Sequence, residues 1–296
     1  VWLETPLRPS AAPASQVGLG EMAPKIPRRA QAGTLVVLGA LVVLASLRAL
    51  SSSRGPAPGT PEAIERTKEL LLKADAVFFD VDSTVLKTEG IDQMGHCFGV
   101  MKEIAELTHK AMNGNVKFQD AMNDRLQLMA DHGMTKRGLD KCVEREARFP
   151  AWSPGVREVV KMFHKQGTNV YLVSGGFKNM LYPLALELHI PQNQVYANEV
   201  LFDEDGNYAG FDRSNPTAAS GGKPKVLKMM KRKHGYKTMI MFGDGATDMD
   251  ARTEGPAAAF VGYGGVTVRP KIQAGADWFI TDFQEILDVL PKGHEL

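Results

Sequence analysis

The stretch AVFFDVD, residues 76–82, constrains the fold more than any other. Four apolar positions in succession leave no face for water, which suits a strand covered on both sides in a parallel sheet. NVYLVSGG (169–176) and TMIMFGDGATD (238–248) have the same character, and AAAFVGYGG and DWFITD follow later in the chain. Helical segments are predicted between these runs. Thr60-Pro61-Glu62 supplies a capping residue, a proline at the first helical position and an acid near the positive end, opening a helix to about Lys73. SPGVREVVKMFHKQG (153–167) reads as a helix capped by Ser153 and stopped by Gly167, and a lysine-rich helix runs from Pro224 to His234. VYANEVLF and NYAGF, either side of Asp205-Gly206, read as a hairpin. Strands alternating with helices predict an α/β fold with a mostly parallel sheet. Residues 92–148 break the alternation: they carry Met, Lys, Glu and Leu at helical spacing and form a helical insert.

Three of the strand runs end in polar groups. Asp80 and Asp82 end the first, Ser174 the second, and Asp244 and Asp248 the third. Any one of these reads as an ordinary turn. Three together do not, because ligands of open parallel sheets bind at the carboxyl ends of the strands. Clustered carboxylates repel one another unless a cation joins them, and oxygen ligands without His or Cys suit a hard cation, most simply Mg2+. Gly175 and Gly176 are expected to open a helix whose free N–H groups face an anion, and Lys223 stands at the start of its own helix. A cation, an anion cradle and a surplus carboxylate suit phosphoryl transfer. One carboxylate can attack phosphorus to form an aspartyl phosphate, while a second moves the proton. SGGKPK lacks the first glycine and the hydroxyl residue of a P-loop, and GDGATD ends in an acid that would repel a dinucleotide pyrophosphate. The cations Lys225, Lys228, Lys231, Arg232 and Lys233 read as a solvated helix face.

With a formal net charge of +1, no global field favours nucleic acid. Seven histidines without H-x-H or H-E-x-x-H leave no zinc site of the usual kind. Cys97 and Cys142 are too few for a disulfide scaffold and fit a reducing compartment. From Met22 to Thr60 the chain has no acid, and TLVVLGALVVLASL (34–47) is fourteen uncharged, mostly apolar residues. That is short of the about twenty a membrane span needs. Residues 1–61 therefore read as a targeting segment and linker, an organellar import peptide ahead of a secretory or anchoring role. With the import role aside, a cytoplasmic protein remains.

DVDST, SGG, GGK and GDGATD, in that order, resemble the motifs of the haloacid dehalogenase superfamily of phosphatases. EGID, AMNG and SGGKPKV are similar to the branch of that superfamily that hydrolyses O-phospho-L-serine. The resemblance covers about residues 62–290. It implies a Rossmann-like core from 62–91 plus 149–296, with 92–148 as a helical cap. It implies Asp80 as nucleophile and Mg2+ ligand, and Asp82 as acid/base with its backbone carbonyl on the metal. Asp244 would complete the ligands, with Asp248 near it or acting through water. Ser174, Gly175 and Lys223 would hold the phosphate, Arg125 the substrate carboxylate and Glu89 its amine. Met112 and Phe118 would wall the closed site, and Thr247 would touch substrate. The reaction implied is Mg2+-dependent hydrolysis of phosphoserine to serine, with a homodimer left open. Two competing readings are transfer of the phosphoryl group to another hydroxyl amino acid, and a phosphorylated signalling receiver. The insert, and acids placed already at the first strand, argue against the receiver.

Overall fold

A computed structural model describes residues 55–113 and 118–291, and of residues 109–113 the backbone alone. The N-terminal targeting reading, with the apolar run 34–47, lies outside the described residues. Among the described residues no helix is long and apolar enough to cross a membrane.

Helix α1 (Pro61–Leu71) begins as its sequence predicts, with the Thr60 hydroxyl accepting the Ala63 N–H. Strand β1 (Ala76–Phe79) follows, buried at all four positions. Side chains alternate across a strand, and here both sides are apolar: Val77 and Phe79 join one core and Ala76 and Phe78 the other. Phe79 stacks on Phe242 at 4.5 Å on the first side, and Phe78 on Tyr171 at 4.8 Å on the second. Four helices come next, α2 (Gly90–Cys97), α3 (Met101–Asn113), α4 (Phe118–Asp131) and α5 (Lys136–Glu146). Then follow α6 (Val156–Gln166), β2 (Asn169–Phe177), α7 (Lys178–Glu187) and β3 (Val195–Asn198). A small antiparallel pair, β4 (Val200–Phe202) and β5 (Tyr208–Phe211), stands apart from the main sheet. The chain closes with α8 (Gly222–His234), β6 (Met239–Gly243), α9 (Ala246–Thr253), β7 (Ala259–Tyr263), α10 (Pro270–Gly275), β8 (Trp278–Ile280) and α11 (Gln284–Leu287).

The main sheet is parallel, in the order β3-β2-β1-β6-β7-β8. From β1 the chain first builds outward through β2 and β3, then returns to the other side of β1 with β6. The strand order therefore reverses between β1 and β6, which is where a doubly wound sheet opens a crevice. Register puts Phe79 beside Phe242; Asp80 follows the first directly and Asp244 follows the second after Gly243, so both acids leave the sheet at the same end of neighbouring strands.

Four local readings are corrected. Ser153 does not cap α6; Gly155, at φ 77°, precedes the helix and leaves no side-chain cap. Gly175 and Gly176 do not open a helix, because β2 runs through both and α7 begins at Lys178. VYANEVLF is not one hairpin arm: its first half is β3 of the main sheet and only Val200–Phe202 pairs with β5. Cys97 and Cys142 are joined as a disulfide with Cα atoms 5.8 Å apart. Forty-five residues separate them in sequence, too far for spacing to reveal the pairing, and the inference of a reducing compartment loses its support.

Candidate active site

β1 ends at Phe79, and the chain then makes a wide turn, Val81–Val85, closed by the Leu86 N–H donating to the Val81 carbonyl at 2.9 Å. Ser83 lies inside it at φ 54°, a left-handed conformation uncommon for a residue with a side chain. This bend brings the end of the turn back to its start. Ser83 Oγ donates to Glu89 at 2.6 Å, and the Gly90 N–H donates to Asp82 Oδ1 at 2.8 Å. The first residues of α2 are thus bonded directly to the loop that carries the two carboxylates.

Those carboxylates have unlike surroundings. Asp80 Oδ1 accepts the Val81 N–H at 2.8 Å and lies 2.8 Å from Lys223 Nζ. Among the described residues no cation forms an ion pair with Asp82; its other oxygen accepts the Ser174 hydroxyl at 3.3 Å. Burial pushes the Asp82 carboxyl up to about 7, and the charges of Asp80 and Glu89 add to that against the Gly90 N–H. Ser174 is fully buried and also accepts the Gly176 N–H at 2.8 Å, so its first role in this structure is to hold the Asp82 carboxylate and the β2 backbone.

Lys223 begins α8 behind Gly222, where a Cβ would run into the Pro216 carbonyl. Its ammonium bridges Asp80 and Asp248, the latter at 2.5 Å. Burial alone would lower its pKa, but the charges of Asp248 and Asp80 outweigh that and hold it above the ordinary lysine value. Asp248 is fully buried; burial drives its carboxyl well up and Asp80 pushes the same way, against Lys223. Burial also raises Asp244, while Arg269 pulls it back through two bonds to Oδ2, at 2.7 and 3.0 Å.

Oxygens of Asp80, Asp244 and Asp248 lie within 4.8 Å of one another. Three buried carboxylates at that spacing, with only oxygen to offer, suit a hard divalent cation. The Asp82 side chain is not part of this trio. Beside it opens a cleft of about 300 Å³, lined among others by Glu89, Phe118, Gly175, Lys223, Thr247 and Arg269. Phe118 stands over Gly175, where a Cβ would lie 3.5 Å from the ring. Arg125 does not line this cleft. It sits on α4, half-buried; burial lowers its pKa, the charges of Asp92 and then Asp124 act against that, and among the described residues its Nε has no hydrogen-bond partner. Met112 lies on α3, and its side chain is outside the described residues.

Two parts of the site escaped the sequence reading. Arg269 lies in the loop six residues beyond the last residue of β7, a strand whose end carries no acid or serine to draw attention to it. Asn198, at the end of β3, donates to the Gly175 carbonyl at 2.7 Å and accepts the Thr217 hydroxyl at 3.2 Å. Nothing in its local sequence marks it out.

Residues 77–251 match the family model of haloacid dehalogenase-like hydrolases. The phosphoserine phosphatase of Homo sapiens is 43% identical over 225 residues, covering 76% of this chain and 97% of that protein. The chloroplastic phosphoserine phosphatase of Arabidopsis thaliana is 43% identical over 223 residues, 75% of this chain and 74% of its own length. The solved structure of DsGPDH of Dunaliella salina superposes with a TM-score of 0.67 at 31% identity; it covers 79% of this chain, which spans only 38% of that larger protein.

Proposed function

The chain belongs to the haloacid dehalogenase-like hydrolases, and on that premise we propose that it is a Mg2+-dependent phosphatase that hydrolyses O-phospho-L-serine to L-serine and phosphate. The observation that carries the mechanism is the unequal setting of two carboxylates two residues apart. Asp80 lies against Lys223 in the carboxylate trio, whereas Asp82, raised to about 7, is poised to hold a proton or release one.

Asp80, Asp244 and Asp248 would hold the cation, together with the Asp82 backbone carbonyl. Bound there, Mg2+ neutralises carboxylate and phosphate charge and orients the phosphoryl group. Asp80 attacks phosphorus and the P–O bond to the serine oxygen breaks. Asp82 gives that oxygen its proton, so serine leaves neutral at the hydroxyl. Asp82 then takes a proton from the water that attacks the aspartyl phosphate, which restores Asp80 and frees phosphate. Lys223, the Gly175 backbone and Ser174 face the phosphate, and Thr247 lies beside the substrate.

The helices within 92–148 serve in this reading as a cap. Glu89 lies on the cleft and takes the substrate ammonium. Arg125 does not line the cleft, and it reaches the carboxylate when the cap closes further. Phe118 and Met112 complete the apolar wall. The N-terminal segment acts as an organellar import peptide, a reading supported by the chloroplastic relative.

A panel of phosphomonoesters assayed with and without Mg2+ tests this. Phosphoserine is expected to be turned over fastest, and only with the cation. Asp80→Asn is expected to lose activity by orders of magnitude. Near-normal turnover in that variant, or no preference for phosphoserine, would refute the assignment.

A further inference from the structure

The chain has two cysteines, and both fall in the helical insert, on its first helix and its last. Cys97 ends α2, the helix that begins beside the active site. Cys142 lies on α5, after which the chain returns to the core. A seam of side chains joins the two helices. Gln93 Nε2 donates to Glu146 at 3.1 Å, and Arg145 Nη2 lies 3.0 Å from His96 Nδ1 and donates to Cys97 Sγ at 3.0 Å. The disulfide closes the far end of this seam. The near end of α2 is bonded to the catalytic loop through Gly90 and carries Glu89. Its Asp92 is one of two acids, with Asp124, whose charge acts on Arg125. The position of α2 therefore sets the substrate end of the cleft, and the Cys97–Cys142 bond decides how firmly α2 is held.

We propose that Cys97 and Cys142 form a reversible thiol–disulfide modification site, opened by a dithiol reductant, whose state tunes binding at the amino-acid end of the substrate. The two sulfurs are placed differently for exchange. Cys142 is 4% exposed, while Cys97 is half-buried beside the partly exposed Arg145. A thiolate of the reductant attacks Cys97 Sγ, the S–S bond breaks, and the electron pair leaves on Cys142, which takes a proton. The second thiolate of the reductant then attacks its own sulfur in the mixed disulfide and expels Cys97 as a thiolate. The reductant ends as a disulfide and the protein as a dithiol. The Arg145 guanidinium stabilises the expelled thiolate, which also primes it for re-oxidation.

The claim about substrate binding rests on the proposed phosphoserine reading; the claim about the thiols does not. The experiment uses the full chain, oxidised or treated with dithiothreitol, and reads three things. Alkylation and mass spectrometry count thiols: none are expected before reduction and two after it, and two free thiols in protein treated with an oxidant would overturn the site. Hydrogen exchange follows the amides of α2 and α5, which are expected to lose protection on reduction whatever the substrate; unchanged protection overturns the coupling. Kinetics then compare phosphoserine with an aryl phosphate that has no amino-acid end. Reduction is expected to raise the KM for phosphoserine by about fivefold and leave the aryl phosphate nearly unaffected. Cys97→Ser/Cys142→Ser is expected to behave as the reduced enzyme under both conditions, and Arg145→Gln to slow re-oxidation at neutral pH. A single KM in both states, or a double variant that still responds to dithiothreitol, overturns the proposal.

Discussion

Gly243 ends β6 with no side chain because the fully buried Asp248 occupies that space; a Cβ there would collide with its carboxylate. Gly243→Ala is therefore expected to displace Asp248 from Lys223, at a cost of about 1–3 kcal/mol for overpacking a dense site. Activity should fall by about a hundredfold, the scale on which a misplacement of about 1 Å acts. Thermal melting and turnover check both. A second expectation concerns Arg125. Its charge is half-buried and, among the described residues, its Nε has no partner, which leaves a donor for a substrate carboxylate. Arg125→Ala is expected to cost about 2–5 kcal/mol in kcat/KM with phosphoserine, as for a desolvated pair losing one member. Lysine should rescue only part of it, lacking the planar fork. Hydrolysis of an aryl phosphate should change little; equal loss on both substrates would mean that Arg125 supports the fold instead. Asp82→Asn separates the two carboxylates further. Mass spectrometry of that variant, loaded from an activated aryl phosphate, should find phosphate on Asp80 and not on Ser83 or Thr84.

Among the elements, α2 is the helix of the insert that meets the site. It is eight residues long, and its first residue, Gly90, is bonded to Asp82 while its last, Cys97, is bonded to Cys142. So short a helix has little stability of its own and takes its position from those two ends. By chain entropy alone, closing a loop of 45 residues contributes about 4 kcal/mol. Cys142→Ser is expected to lower the melting temperature by several degrees and to make the insert, rather than the sheet, the first region cut by a protease. β1 behaves in the opposite way. Its four residues are held by two neighbouring strands and by apolar side chains on both faces, so Phe79→Ala should cost about 3–5 kcal/mol and unfold the sheet as a unit.

For the molecule as a whole, the buried acids set how stability varies with pH. The folded protein without a cation holds the Asp82 proton up to about pH 7, whereas the ordinary value is 3.8. The folded form thus binds more protons between those values, and its stability falls as pH rises through that window. Burial raises Asp244 and Asp248 as well. Without cation, the melting temperature should decline between about pH 4 and about pH 7, and less steeply in Asp82→Asn. Mg2+ should restore more stability at the higher pH, where it no longer competes with protons; an equal gain at both would argue against binding at the trio. Much of this molecule was legible along the chain. The apolar runs before Asp80, Ser174 and Asp244 named the strands, and the acids beyond them marked the carboxylates that the fold brings together, because burial on both faces and polarity at a strand end are local properties of a sequence. Gly175 and Gly176 misled, since glycine permits a helix start and a strand continuation equally, and the pairing of β2 with β3 chose between them. Arg269 on Asp244, Asn198 under Gly175 and Cys97 with Cys142 were beyond reach for another reason. Each joins residues 23 to 45 positions apart. Such partners meet only after the sheet has ordered its strands and packed the helices around it, and no periodicity or motif within either segment records the encounter.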